Sequence, residues 1–352
     1  MFRNWFVAHR SLILTVVGGA VIAALVAAFA ITSTGYTAQQ LNLNDSSVWV
    51  ANGTQQAIGR ANTTVRQLNS VVSTTGNDLD VLQNSSTVML VDNADSKLQI
   101  VDPTTSTVTQ TVPLPPNQPQ VFLSKTAVVI VATTTGQVWI TPLQQIATFS
   151  TQSSTPLSFG PNVVASMDSN GILFVYSPSA KKVSRLEPDA SQAVVGTDNL
   201  SLPVKNTFQI TSVDGQWAVL DATTSRVYVA GANVSLGGTV AASSPAIQQP
   251  SATGERILVA GSAGVVALSL GASTPATLVR GETGVATRPL SVGGCDYAAW
   301  TDGHAWRACS SDGPTGTTMP LSGTSAGMKL ALRSNGSRVV LNDSRSGATW
   351  AV

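Results

Sequence analysis

The sequence of 352 residues predicts an all-β fold, a β-propeller of seven or eight blades preceded by one N-terminal transmembrane helix. Three observations carry that prediction. A single uninterrupted apolar segment lies near the N-terminus. After it, pairs of strand-like runs recur about every 40 residues. Charged residues make up only 11% of the chain, with Ser, Thr, Gly, Asn and Gln in their place. Long helices favour Glu, Lys, Arg and Leu, so this composition leans towards strands and turns.

The apolar segment, Ser11 to Ile31, contains no charged residue. At about 1.5 Å per residue it reaches roughly 30 Å, the thickness of a bilayer's hydrocarbon core. Arg3 and Arg10 precede it, and the next basic residue is Arg60. Positive charge stays on the cytoplasmic side, which puts the N-terminus inside and the rest of the chain outside. The expected organisation is a cytoplasmic stub (1–10), a transmembrane helix (11–32), a linker (33–45) and an extracytoplasmic propeller (46–352) on a single-pass cell-membrane protein. Ala28-Phe29-Ala30 also fits the small-residue cleavage site of a signal peptide. The apolar run is longer than the ~7–15 residues of a signal core, which favours an uncleaved anchor.

Beyond Gly35 the strand pairs begin at Val48, Val88, Val128, Val163, Trp217, Ile257, Tyr297 and Val339. In each, an apolar run leads through a polar or Gly turn into a second run. Val88–Asp92 followed by Leu98–Asp102 is typical. A period near 40 residues is that of a propeller blade, whereas arrays of β-sandwiches repeat at nearer ~100 residues. The apolar first members are expected to line the centre of the ring. The long interval from Val163 to Trp217, which includes Glu187 to Asn206, is expected to hold a surface insertion. Nothing follows Val352 to complete the last unit. Either the terminal strands share one sheet or the sequence is truncated, and truncation is the expectation.

Lys97 to Val112, KLQIVDPTTSTVTQTV, resembles the blade core of YVTN-type and related quinoprotein-like propellers. The order of an Arg-bearing stub, one span and then Ser46 to Asn69 is similar to actinobacterial single-pass proteins. Those carry an extracytoplasmic propeller followed by fibronectin type III repeats. The resemblance covers nearly the whole chain and implies a non-catalytic envelope protein with a protein or cell-wall partner. It supplies no catalytic residues. No fibronectin repeat has a counterpart here, in keeping with truncation.

The residues that could carry chemistry are few. Outside residues 1–35 there are 17 basic and 18 acidic residues without a basic stripe, so nucleic acid is not an expected partner. Zinc takes about four ligands; Cys295, His304 and Cys309 supply three at most, without a C-x-x-C. His304 is also the one histidine outside the cytoplasmic stub, and no G-x-S-x-G frames a serine for it. Asp92, Asp95, Asp102 and Asp221 sit at strand ends, where they could pair as acid and base or simply cap turns. Asp343 to Trp350 echoes a quinoprotein blade motif once. Trp49, Trp139, Trp217, Trp300, Trp306 and Trp350 either wedge the blades apart or form a binding face. Catalytic residues, metal and cofactor are therefore expected to be none. The function expected is binding or scaffolding, the alternatives being a hydrolase or quinoprotein-like enzyme, or an envelope assembly factor.

The two cysteines have a structural explanation. If Thr301-Asp302-Gly303 is a three-residue hairpin turn, Trp300 faces His304 and the register places Cys295 opposite Cys309. A bridge between them suits an exported protein and would staple one blade.

Overall fold

The structure is a computed structural model that describes residues 47–352 except 63–66, 231, 237–243, 272–273, 281–283, 312–314 and 326. The expected stub, span and linker lie outside the described residues. Eight antiparallel sheets follow one another along the chain as blades 1 to 8 of a β-propeller. Blades 2 to 7 have four strands, and blades 1 and 8 have three. Among the described residues the only helical element is a short 3-10 turn at Leu143–Thr148.

Blade 2 shows the plan. Its inner strand is Leu79–Asn84, followed outwards by Thr87–Asp92, Lys97–Asp102 and Thr107–Pro113. The second strands are sandwiched between neighbouring blades on both faces, so they read as continuous apolar runs. Ala127–Ala132 in blade 3, AVVIVA, is buried at every position. The second strands begin at residues 48, 87, 127, 173, 216, 256, 295 and 338.

Three expectations are corrected. The apolar runs are not innermost, because a further strand lies inside them in blades 2 to 8. These inner strands are short or mixed in polarity, as in LDVLQN at Leu79–Asn84, because their inner edge faces the channel rather than another strand. Val163 opens no second strand: Val164–Met167 is the inner strand of blade 4, and Leu173–Ser177 is its second. Most of that interval's excess over the common period is this offset, and the presumed insertion holds that blade's fourth strand, Val194–Asn199. Of the two readings offered for the termini, the shared sheet is not found among the described residues, since blades 1 and 8 remain separate.

The hydrophobic core is divided into wedges between blades. Seven clusters, each of eight or more buried residues, lie between successive blades from 1–2 to 7–8. The seam between blades 8 and 1 has only Val48, Val50, Ala61 and Val340. Indole N–H groups tie several wedges together. Trp217 donates to Asp198 across blades 5 and 4, Trp300 to the Gly261 carbonyl across blades 7 and 6, and Trp350 to the Ser322 carbonyl across blades 8 and 7. Of the six tryptophans singled out in the sequence, all but Trp350 are buried, as wedge filling requires.

Blade 1 starts at Val48–Asn52, which corresponds to the second strand elsewhere. No described strand lies inside it, so its inner edge needs other partners. Side chains from both neighbouring blades supply them. Gln83 of blade 2 accepts from the Trp49 N–H at 3.1 Å and donates to the Ser47 carbonyl at 3.1 Å. Asn342 of blade 8 accepts from the Ala51 N–H at 3.0 Å and donates to the Ala51 carbonyl at 3.1 Å. Asn335 donates to the Ser47 carbonyl as well, and the Ser344 and Arg345 carbonyls receive the N–H groups of Gly53 and Thr54. Arg333 then spans from blade 8 to the Val81 carbonyl and the Asp80 carboxylate of blade 2.

Asn342 is fully buried, and removing its amide strands one donor and one acceptor of Ala51. At about 1–3 kcal/mol for each unmatched buried group, Asn342→Ala is expected to cost about 2–4 kcal/mol. A denaturant midpoint unchanged from the parent would show that this amide does not close the ring.

Candidate functional site

The inner strands surround a central channel. At the end where inner and second strands are joined, it opens into a cavity of about 640 Å3. Gln83, Leu123, Asp168, Ser251, Ser291 and Arg333 are among the residues lining it, drawn from six blades. Free strand edges facing a channel present unpaired carbonyls, and long side chains cap several of them. The Gln249 amide donates to the Leu332 carbonyl at 2.9 Å, reaching from blade 6 to blade 8. Arg288 lies just before the inner strand of blade 7 and donates to the carbonyls of Ile247 (3.1 Å), Gln248 (2.8 Å) and Ile210 (3.2 Å). Crowding by protein atoms lowers the Arg288 pKa to about 10, although the residue keeps an exposed surface. It therefore remains a cation at neutral pH.

Asp168 is the one carboxylate lining the mouth among the described residues. It ends the inner strand of blade 4 and caps the turn there, its Oδ1 accepting from the N–H groups of Asn170 and Ile172 at 3.0 Å each. Its Oδ2 is buried with no partner. Burial raises this carboxyl above the ordinary value of 3.8 and outweighs the opposing pull of those N–H groups and Arg185.

The strand-end carboxylates are not brought together. Asp92, Asp221 and Asp343 each end the second strand of a different blade. Asp92 accepts from the Asp95 N–H, Asp221 from Thr223 and Thr224, and Asp343 from Lys329, Arg345 and the Ser346 hydroxyl. Asn52 and Ser177 do the same in blades 1 and 4. The capped turn closes on a residue with positive φ, Ser96 at 50° and Ser225 at 52°. The local Asx bond explains why a polar residue sits at the end of an apolar strand. Asp102 caps the turn of the third strand of blade 2 through Thr104 and Thr105. Asp95 pairs with Lys97 at 2.9 Å. Asp343 feels burial, which raises its carboxyl, but the bonds from Ser346, Lys329 and Arg345 prevail and hold it below 3.8.

His304 opens the third strand of blade 7 opposite Trp300, with Nδ1 3.2 Å from Asp302 Oδ1. Gly303 in the turn has φ 99°. Cys295 pairs directly with Cys309, their Cα atoms 4.0 Å apart and their sulfurs at bonding distance. The pair closes the end of the hairpin remote from the turn, immediately after the mouth-lining segment Leu290 to Gly293. No group of three or more His, Cys, Asp or Glu side chains with metal-binding geometry occurs among the described residues. Sequence reasoning missed Gln83, Gln249, Arg288, Arg333 and Asn342. The available signal was a lone amide or guanidinium beside an apolar run, as in VVLN at Val339 to Asn342.

The sequence matches no protein-family model and no curated protein. Its fold is nonetheless shared. The apo form of AztD from Citrobacter koseri superposes with a TM-score of 0.56 at 8% identity, covering 87% of this chain and 93% of that one. Streptogramin B lyase gives 0.55 at 9% identity, over 86% and 95%. BamB from Moraxella catarrhalis gives 0.51 at 14% identity, over 87% and 90%. At such identities the likeness is one of fold: an eight-bladed β-propeller with both enzymatic and other propellers among its structural neighbours.

Two predictions follow from the site. Denatured but unreduced protein is expected to expose no reactive thiol, and reduction is expected to release two. A closed loop of about fifteen residues contributes up to about 3 kcal/mol in the chain-entropy model; two thiols reactive before reduction would exclude the bridge. For Asp168 the sign follows from its raised pKa. The ionised carboxylate destabilises the fold at neutral pH; below the unfolded pKa the cost is absent, and it grows as pH rises through the folded pKa. Asp168→Asn should therefore raise the melting temperature near pH 7, with the gain shrinking towards about pH 3.5. A gain independent of pH would rule out the buried charge as its cause.

Proposed function

We propose that this chain is a non-catalytic binding or scaffolding propeller of the cell envelope, held by its N-terminal apolar segment with the propeller outside the cytoplasm. In this it would be like the actinobacterial single-pass proteins that its sequence resembles. The observation that carries the proposal is the state of the channel mouth. A catalytic centre there would need a poised acid, base or metal. The mouth's one described carboxylate, Asp168, caps a turn through Oδ1 and keeps Oδ2 buried among protein atoms with no second acid, base or metal cluster beside it among the described lining residues, and long side chains brace the inner edges around it. Such a channel serves as an architectural axis, and recognition falls to the rim and the outer strands. The opposed cysteines favour an oxidising compartment. The structural neighbours include BamB and AztD as well as a lyase, so the fold accommodates this reading without dictating it.

The test has two parts. A membrane-impermeant amine reagent should label propeller lysines in intact cells, and cross-linking in envelope extracts should recover a protein or cell-wall partner in fixed proportion. Labelling only after lysis would overturn the location. Turnover of a small molecule without any macromolecular partner would overturn the scaffold.

A further inference from the structure

The wedge between blades 4 and 5 is left unfilled where the third and fourth strands of blade 4 border it. Phe174, Arg185 and Gly196 stand in one cross-strand row on the second, third and fourth strands of that blade, so they share a face. Asp198, two residues on from Gly196, lies on the same face. Trp217 of blade 5 packs in the same wedge as Phe174, and its indole N–H donates to Asp198 Oδ2 at 2.7 Å. Beyond these two buried rings, glycines withhold side chains. A Cβ on Gly196 would meet only the Arg185 Cβ, at 3.9 Å, and one on Gly215, in the turn before Gln216–Asp221, would meet nothing within 4 Å. The result is a cleft of about 480 Å3, within the ~300–1,000 Å3 of small-ligand sites. A bulge in the pairing of blade 4's outer strands leaves Val195 as the extra residue, and this side chain lines the cleft and is 50% exposed.

The polar groups of the cleft have bonding capacity to spare. Arg185 Nη2 donates to Glu187 Oε1 at 2.8 Å, while its Nε is buried with no partner. Asp198 Oδ1, Glu187 Oε2 and the Gln216 carboxamide line the same cleft without a hydrogen bond among the described residues. Unmet donors and unmet acceptors thus surround one recess, and one cation stands between two carboxylates. A cationic ligand would meet Arg185 and leave its Nε unmatched. An anionic one would meet Glu187 and Asp198. A hydroxyl donates and accepts at one atom, so a ring bearing several of them satisfies both kinds of group together. Its C–H surface would lie on Val195 and on the ring edges of Phe174 and Trp217 that line the cleft. A peptide amide instead holds its donor and acceptor on opposite sides, which suits a strand edge better than a recess. We propose that this cleft binds a neutral pyranose unit of an envelope glycan. The assignment rests on the binding-module reading and names the partner's chemistry.

The probes are neutral tetrasaccharides of glucose, mannose and N-acetylglucosamine, titrated calorimetrically into the 352-residue chain. Saturable binding of at least one is expected, little changed by raising the salt to about 1 M, because the ligand carries no charge. Gly196 lies in a strand with φ outside the left-handed region, so Gly196→Met should fold and fill the cleft. It is expected to weaken binding about tenfold or more. Gln216→Ala, at an exposed side chain, should weaken it about threefold or more. Melting curves of both variants are measured alongside. Three results would each overturn the proposal: no binding of any of the three sugars; undiminished binding to folded Gly196→Met or, should that variant not fold, to Gln216→Ala; or saturation of the cleft by trilysine or trialanine in preference to the sugars, which would make the occupant a peptide. Sugar binding is read on purified protein, whatever its place in the cell. Recovery of a protein partner from the envelope would keep the scaffold reading standing even if no sugar bound, so the two fail separately.

Discussion

A strand edge enclosed by protein must find partners for its N–H and C=O groups, since each unmatched one costs about 1–3 kcal/mol. In this propeller the decisive edge is the inner side of Val48–Asn52. Gln83 and Asn342 present carboxamides that imitate a peptide group, Asn342 accepting and donating at Ala51 and Gln83 accepting from Trp49 and donating to Ser47 two residues before it. Their effect is to join blade 1 to blades 2 and 8 without a shared sheet. The remaining interfaces are made by apolar wedges of ordinary size. The closing seam has four buried apolar residues, so directional bonds do the joining that hydrophobic area does elsewhere.

Closure by side chains also defines what the middle of the molecule can do. Arg288, Gln249 and Arg333 span from blade to blade by bonding main-chain carbonyls, and Gln249 and Arg333 keep charge and bulk at the channel mouth. A ligand entering there would compete with those bonds. The outer rim is not under that constraint, and its strands differ in length, polarity and coverage.

The second strands were plain in the sequence because burial on both faces leaves only apolar residues acceptable, as AVVIVA in blade 3 shows. The hairpin register around Gly303 was equally readable, because a three-residue turn fixes every pair behind it, down to Cys295 opposite Cys309. Inner strands such as Leu79–Asn84 escaped notice. Their polar residues answer to a channel and to partners in other blades, and no local period records that. The carboxylates at strand ends were visible but ambiguous, since a capping Asp and a catalytic Asp look alike until the distances between blades are known. The bonds of Asn342 depend on a partner 291 residues away.

That separation has a consequence for how the molecule is made. A chain emerging at ~5–20 residues per second presents Ala51 roughly 15–60 s before Asn342. Gln83 follows Trp49 by only 34 residues and can satisfy that N–H early. The rest of the edge stays open until the last blade arrives. Blades 1 to 7 thus form an arc whose first-made blade keeps an unmatched edge, and Asn335, Asn342, Ser344 and Arg345 of blade 8 convert it to a ring. Contacts so remote in sequence are slow to form, which makes the interval before closure the period when this protein is most exposed to misassembly.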